Sequence, residues 1–224
     1  MHSWLTLEAP TCDWADRDVI AERGAPHDAS YVLVEGAVAI VHRGEDGTSV
    51  VVKILGAPTL FGVLEAVTDA PMWLESVHAI GAAKGLRLSK AAFRAHLDDN
   101  AASKECLVDL AHAFAVSASY ETAHLASSTS KLAALLLAVG DVASEAYNTD
   151  RKLSIKRTQA DWAAMAGVSE RTVHTCFRRW MADGVVGRDE GRVVLLRRDA
   201  LLDEAGELAR ALVHTYPLDK TGRR

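Results

Sequence analysis

Five polar side chains between Ser169 and Gly184, namely Glu170, Arg171, His174, Thr175 and Arg178, recur at the spacing that places them along one side of an α-helix. Val173, Cys176, Phe177 and Trp180 fall at i, i+3, i+4 and i+7 of the same stretch, so the other side is an apolar stripe suited to packing. Guanidinium, imidazole, hydroxyl and carboxylate groups on one rigid rod can donate to and accept from base edges in a major groove, with phosphates within reach. Arg171 suits a bidentate contact with guanine, and Glu170 suits the amino group of cytosine. A polar helix flank is often only solvated surface; what stands around this one decides between the two.

Before it lies a second short helical pattern. Thr158 and Asp161 form a capping-box-like start, Trp162 and Met165 supply an apolar face, Gly167 makes the turn, and Ser169 caps the next helix. After it, Gly184 stops the helix. Val185-Val186, a turn at Asp189-Glu190-Gly191 and Arg192-Val193-Val194-Leu195-Leu196 then read as a β-hairpin of wing length. Helix, turn, helix and wing thus follow one another in the order of a winged helix-turn-helix. Thr158 and Gln159 at the first helix start, Ser169 at the second, and Arg178, Arg188 and Arg192 on the flanks are candidate DNA-backbone contacts.

Charge supports a nucleic-acid partner once its distribution is considered. The net charge of -5 argues against one superficially, since affinity for DNA comes largely from Lys and Arg neutralising phosphates. Between Arg151 and Ala200, however, eleven Lys and Arg stand against six Asp and Glu, a local +5 in a chain whose remainder carries -10.

At 224 residues and 49% apolar content the chain can bury two modest cores. From Arg17 to about Leu88, runs such as Tyr31-Val32-Leu33-Val34, Val38-Ala39-Ile40-Val41 and Val50 to Leu55 alternate with turn residues at Gly44 to Gly47 and Gly56-Ala57-Pro58. They predict an antiparallel sandwich or jelly roll. Ser89 caps a short helix to about Leu97. A long helix follows from about Ala101 to Ser127, where Leu107, Ala111, Phe114, Ala118, Glu121 and Leu125 form a mostly apolar seam for a second copy. Another helix is expected from about Lys131 to Tyr147. The expected organisation is α+β: an antiparallel β-roll sensor domain over 1–100, a dimerisation helix over 101–128 and a winged helix-turn-helix domain over 129–224.

Other function classes find little support. No apolar run reaches the eighteen or so residues of a membrane span, and Met1-His2-Ser3-Trp4 lacks the pattern of a signal peptide, so a cytoplasmic protein without membrane contact is expected. Cys12, Cys106 and Cys176 stand too far apart for a disulfide framework or a close-spaced metal site. A cupin-like metal enzyme would share a β-roll, but it clusters His with a carboxylate, and the nine histidines are scattered. No catalytic residues are expected.

With Gly167, Ser169, Thr172 and Val173 at the turn and second helix, Asp46-Gly47 among the strands and Leu60-Phe61-Gly62 after them, the chain resembles the CRP/FNR family of regulators over nearly its whole length. The resemblance implies a homodimer on a near-palindromic operator in double-stranded DNA, half-sites about one helical turn apart, and contact with RNA polymerase. It also implies an effector pocket at Gly62, Val63, Glu75 and Ser76, with Ser117 on the long helix. Here the chain departs from the cyclic-nucleotide binders. Val63 stands where they carry a ribose-binding Glu, and Glu75-Ser76 stands where they carry a phosphate-binding Arg-Ser, so a carboxylate would face a phosphate. Cyclic AMP bound in the usual way is disfavoured; a cyclic dinucleotide, another cyclic mononucleotide or no effector remains open. An iron-sulfur cluster is excluded because only Cys12 lies near the N-terminus, and neither His42 nor His78 matches a haem ligand.

Overall fold

The computed structural model describes residues 8–43, 49–97, 126–147 and 157–206. Six strands, β1 (Thr11–Trp14), β2 (Val19–Ala21), β3 (Ala29–Arg43), β4 (Ser49–Gly56), β5 (Thr59–Phe61) and β6 (Ser76–Ser89), form one antiparallel sheet in the order β1-β6-β3-β4, with β2 on β6 and β5 on β3. Two of the β-branched runs fuse. Tyr31 to Val34 and Val38 to Val41 belong to the single strand β3, which bends at Gly36. Gly36 has φ +83°, and a Cβ there would lie 2.4 Å from the Ala82 carbonyl oxygen, so only glycine allows the sheet to curl so tightly.

Two short helices close the roll, α1 (Val63–Thr68) and α2 (Lys90–Leu97). The start of α2 is the expected one, because Ser89 Oγ accepts the Ala92 N–H at 3.1 Å. Phe93 of α2 is fully buried against Val32, Leu60, Val63 and Leu88. A second cluster of Leu33, Val38, Phe61, Trp73 and Val77, with Trp14 and Tyr31 packed on it, fills the roll from the other side.

Helix α3 (Ser128–Tyr147) joins the roll to the C-terminal head. It begins slightly earlier than its apolar pattern predicts, since the Ser127 hydroxyl accepts the Ser130 N–H at 3.1 Å. All residues from Leu132 to Val139 are buried. A helix apolar all round needs cover on every side. One side meets β3 and β4, and the others meet α4 (Gln159–Ala166), α5 (Glu170–Ala182) and α6 (Arg198–Ala205). Roll and head therefore share one apolar core, running from Ala39, Val51 and Ile80 to Trp162, Phe177 and Leu201. The wing, β7 (Val186–Asp189) with β8 (Arg192–Leu195), completes the head.

The predicted helix near 101–127 as far as position 125, its seam, Ser117 and the Asp46-Gly47 link lie outside the described residues; Ala126 and Ser127, at its expected end, are not helical. Among the described residues no helix is long and apolar enough to cross a membrane.

Candidate nucleic-acid interface

The short helix α4 starts at Thr158 with a reciprocal cap. Thr158 Oγ1 accepts the Asp161 N–H at 3.2 Å, and Asp161 Oδ2 accepts the Thr158 N–H at 2.8 Å. Burial pushes the Asp161 carboxyl up, but the hydrogen bonds from Thr158 and the nearby Arg17 guanidinium outweigh it and hold the group below the ordinary carboxylate range. Gly167 ends α4 in the left-handed region, φ 62°, and turns the chain towards α5. Ser169 then caps α5 by accepting the Thr172 N–H at 3.1 Å.

On α5 the two faces separate as the spacing predicts. Val173, Cys176, Phe177 and Trp180 are buried, with Phe177 edge-on to Trp162 at 6.4 Å and to Trp180 at 6.1 Å between ring centroids. Glu170, Arg171, His174, Thr175 and Arg178 are exposed. The Thr175 hydroxyl donates to the Arg171 carbonyl at 2.8 Å, so its oxygen retains lone pairs for an outside donor. The side chains of Glu170, Arg171, His174 and Arg178 make no hydrogen bond or ion pair among the described residues. Arg179, one residue on, is held by Glu204 of α6 at 2.7 Å and so belongs to the scaffold.

Two residues with positive φ, Glu190 at 48° and Gly191 at 78°, turn the wing. Both central residues of the tightest hairpin turn need that conformation. Arg188 and Arg192 on its strands are exposed, like Thr158, whereas Gln159 is half-buried. The α4 start, the polar face of α5 and the wing follow one another in the chain, and exposed Arg171, Arg178, Arg188 and Arg192 stand along them.

The four described effector candidates have separate partners. The Gly62 carbonyl accepts the Ser30 hydroxyl at 2.8 Å near the start of β3. Glu75 meets His42 Nδ1 at 3.0 Å near the end of the same strand. Ser76 Oγ accepts the Arg23 N–H at 3.0 Å, and the Val63 side chain is buried. The Glu75 carboxylate, for which the sequence offers no obvious compensating charge, is thus engaged by an imidazole. Around Gly62 the roll is lined by rings. Tyr31 stacks on Phe61 at 5.2 Å, and His27 meets Trp73 edge-on at 4.8 Å. Burial holds the His27 imidazole below its ordinary pKa, favouring the neutral ring.

Sequence reading missed the residues at the boundary between roll and head. Arg17 Nη2 donates to Asp161 Oδ2 at 2.5 Å, and Arg157 donates to both oxygens of Asp16, one contact being 2.6 Å. Arg157 holds the Asp16 carboxyl below the ordinary range despite some desolvation. The partners are 144 and 141 positions apart, so no local pattern signals them.

Residues 12–100 match the family model of the cyclic nucleotide-binding domain, and residues 130–204 match that of the Crp-like helix-turn-helix domain. Among solved structures, a CRP-family transcriptional regulator from Thermus thermophilus aligns with a TM-score of 0.69 and 21% identity, covering 87% of this chain and 96% of that one. FixK2 from Bradyrhizobium japonicum aligns with a TM-score of 0.72 and 16% identity, covering 89% and 98%. The c-di-GMP responsive global regulator CLP of Xanthomonas campestris aligns with a TM-score of 0.67 and 14% identity, covering 87% and 96%. At these identities the likeness is one of fold. No curated protein matches the sequence.

Proposed function

Because the chain belongs to the CRP/FNR family of transcription regulators, with that family's two domains in its order, we propose that it is a homodimer that reads a near-palindromic operator through α5. The observation that carries this is the outward polar face of α5, anchored by a buried aromatic stripe and flanked by the exposed Arg188 and Arg192 of the wing. Arg171, with Glu170, His174 and Thr175, addresses base edges. Thr158, Gln159, Ser169, Arg178, Arg188 and Arg192 address the backbone, with the α4 and α5 N-termini turned to phosphate. Two such heads placed about 34 Å apart fit successive major grooves of one DNA face.

Selection from a random duplex pool gives the operator. Arg171→Ala is then expected to weaken it by about 1–3 kcal/mol and relax preference at one base pair, whereas Arg178→Ala weakens all duplexes alike and lowers the salt slope by about one. Unchanged affinity and base preference in Arg171→Ala would show that this residue does not read the operator.

For control, the roll belongs to a domain class named for cyclic nucleotides, and one structural neighbour is itself c-di-GMP responsive. We read a nucleotide second messenger as the effector class, in a mode that differs from the usual one for cyclic AMP, since Val63 is buried and Glu75 sits on His42. Effector binding would shift the population of head angles. Repeating operator titrations with cyclic mononucleotides and dinucleotides tests this: an affinity change with one of them supports it, and none with any supports an effector-independent regulator. Action in the cytoplasm and contact with RNA polymerase complete the reading.

A further inference from the structure

We infer that Asp16 and Arg17, at the β1–β2 turn of the roll, are positioning residues for the head, and that with Arg157 and Asp161 they set the angle at which α5 is presented. This rests on the reading of α5 as the DNA-contacting helix.

The contact is reciprocal in charge. The turn offers an acid followed by a base, and the head offers the base Arg157 and the acid Asp161, so each ion finds its opposite only at one registration of the two surfaces. Asp16 receives a two-pronged guanidinium, the geometry that fixes direction as well as distance. The turn that carries it is stiff. Asp18 Oδ2 accepts the Ala15 N–H at 2.8 Å, Asp16 Oδ1 accepts the Gly81 N–H at 2.7 Å, and the Arg17 N–H donates to the Ala79 carbonyl at 3.1 Å. Arg17 itself sits at φ 75°, a left-handed conformation that costs a residue with a Cβ, and there its guanidinium reaches Asp161.

Apolar contact alone would leave the angle loosely defined. The shared core gives adhesion without direction, and at its edge the two surfaces do not close on each other. A cleft of about 200 Å³, open to solvent, lies between roll and head, lined by Val41, Val51, Ile80 and Met165 together with Arg17, Arg157 and Asp161. Along this open edge no apolar packing fixes the orientation of the head, so the directional charge pairs that line it choose the tilt. Arg157 is the strong member, because its side chain is only 4% exposed and would be left buried without a counter-ion if Asp16 were lost. Asp161 passes the restraint on, since the same carboxylate caps Thr158 and thereby fixes the start of α4.

The test uses the full chain, its selected operator and probes introduced as unnatural amino acids at Glu22 of the roll and Ala182 of α5. Asp16→Arg is expected to lower operator affinity about tenfold, leave base preference and salt slope unchanged, and broaden the interprobe distance distribution. Combining it with Arg157→Asp restores the opposite charges and should recover most of the affinity and the narrow distribution. If Asp16→Arg does not fold, Arg17→Gln removes only the outer partner, with about a threefold loss and the same broadening expected. Wild-type affinity with a narrow distribution in the folded variant, or a charge swap that restores neither property, overturns the inference. Were the wild-type chain to select no duplex, the DNA reading would fall, while the distance distributions would still report whether these residues set the angle.

Discussion

Helix α5 and the interior of the roll treat their polar and aromatic groups in opposite ways. On α5 the aromatic rings face inward and the ionisable groups face water, so one helix is at once firmly held and chemically available. In the roll, Tyr31, Phe61, Trp73 and the imidazole of His27 crowd around Gly62, where a Cβ would lie 2.7 Å from Trp73 Cη2. The exposed face of α5 can change without disturbing a core, whereas any change among the rings of the roll must be repacked.

The largest effect is expected where the anchor of α5 is removed. Trp180→Ala, at a site 1% exposed, is expected to cost about 3–5 kcal/mol of the chain's stability and to weaken operator binding severely, as read from denaturant midpoints and operator titration. A smaller loss would mean that the stripe is not what holds the polar face outward. In the roll, Gly62→Ala combines a left-handed φ of 75° with the Trp73 clash, and a loss of about 2 kcal/mol or more is expected with operator affinity retained in the folded protein. Trp73→Leu in the same chain should recover part of it; simple additivity of the two changes would argue against the contact.

The smallest effects concern acid. His27 and His78 are both held below the ordinary histidine value by burial, so the unfolded chain takes up their protons first and stability falls as pH drops below about 6.5. Asp16 and Asp161 are both depressed, so their contribution is present above about pH 3.8 and disappears as pH falls through the lower folded values. His27→Leu should therefore flatten the upper part of the acid limb of a thermal-melt profile, and Asp16→Asn the lower part. An upper limb unchanged by His27→Leu would remove the imidazole from this account.

What could be read from residues alone follows the same division. Caps, turn and stripe of the head depend on neighbours three or four positions away, so Thr158, Gly167, Ser169, Phe177 and Gly191 announce themselves. The roll depends on pairings between distant segments. Its strands are legible as β-branched runs, but the bend at Gly36 that fuses two of them is decided by Ala82 and Ala83 on another strand. The short helix α1 follows Gly62 directly and leaves no legible signal, because six residues carry too little periodicity. The engagement of Glu75 by His42, and of Asp161 by Arg17, is invisible for the same reason: spacing in sequence says nothing about which loop a side chain will meet.

The helix α3 carries a consequence for how such a chain can come apart. With every residue from Leu132 to Val139 enclosed, it is common property of the roll and the head, and neither can shed the other without baring a greasy rod to water. A fragment excised on either side of it inherits a sticky face, so the pair is expected to melt in one cooperative step and any signalling between them to proceed by tilting, never by release.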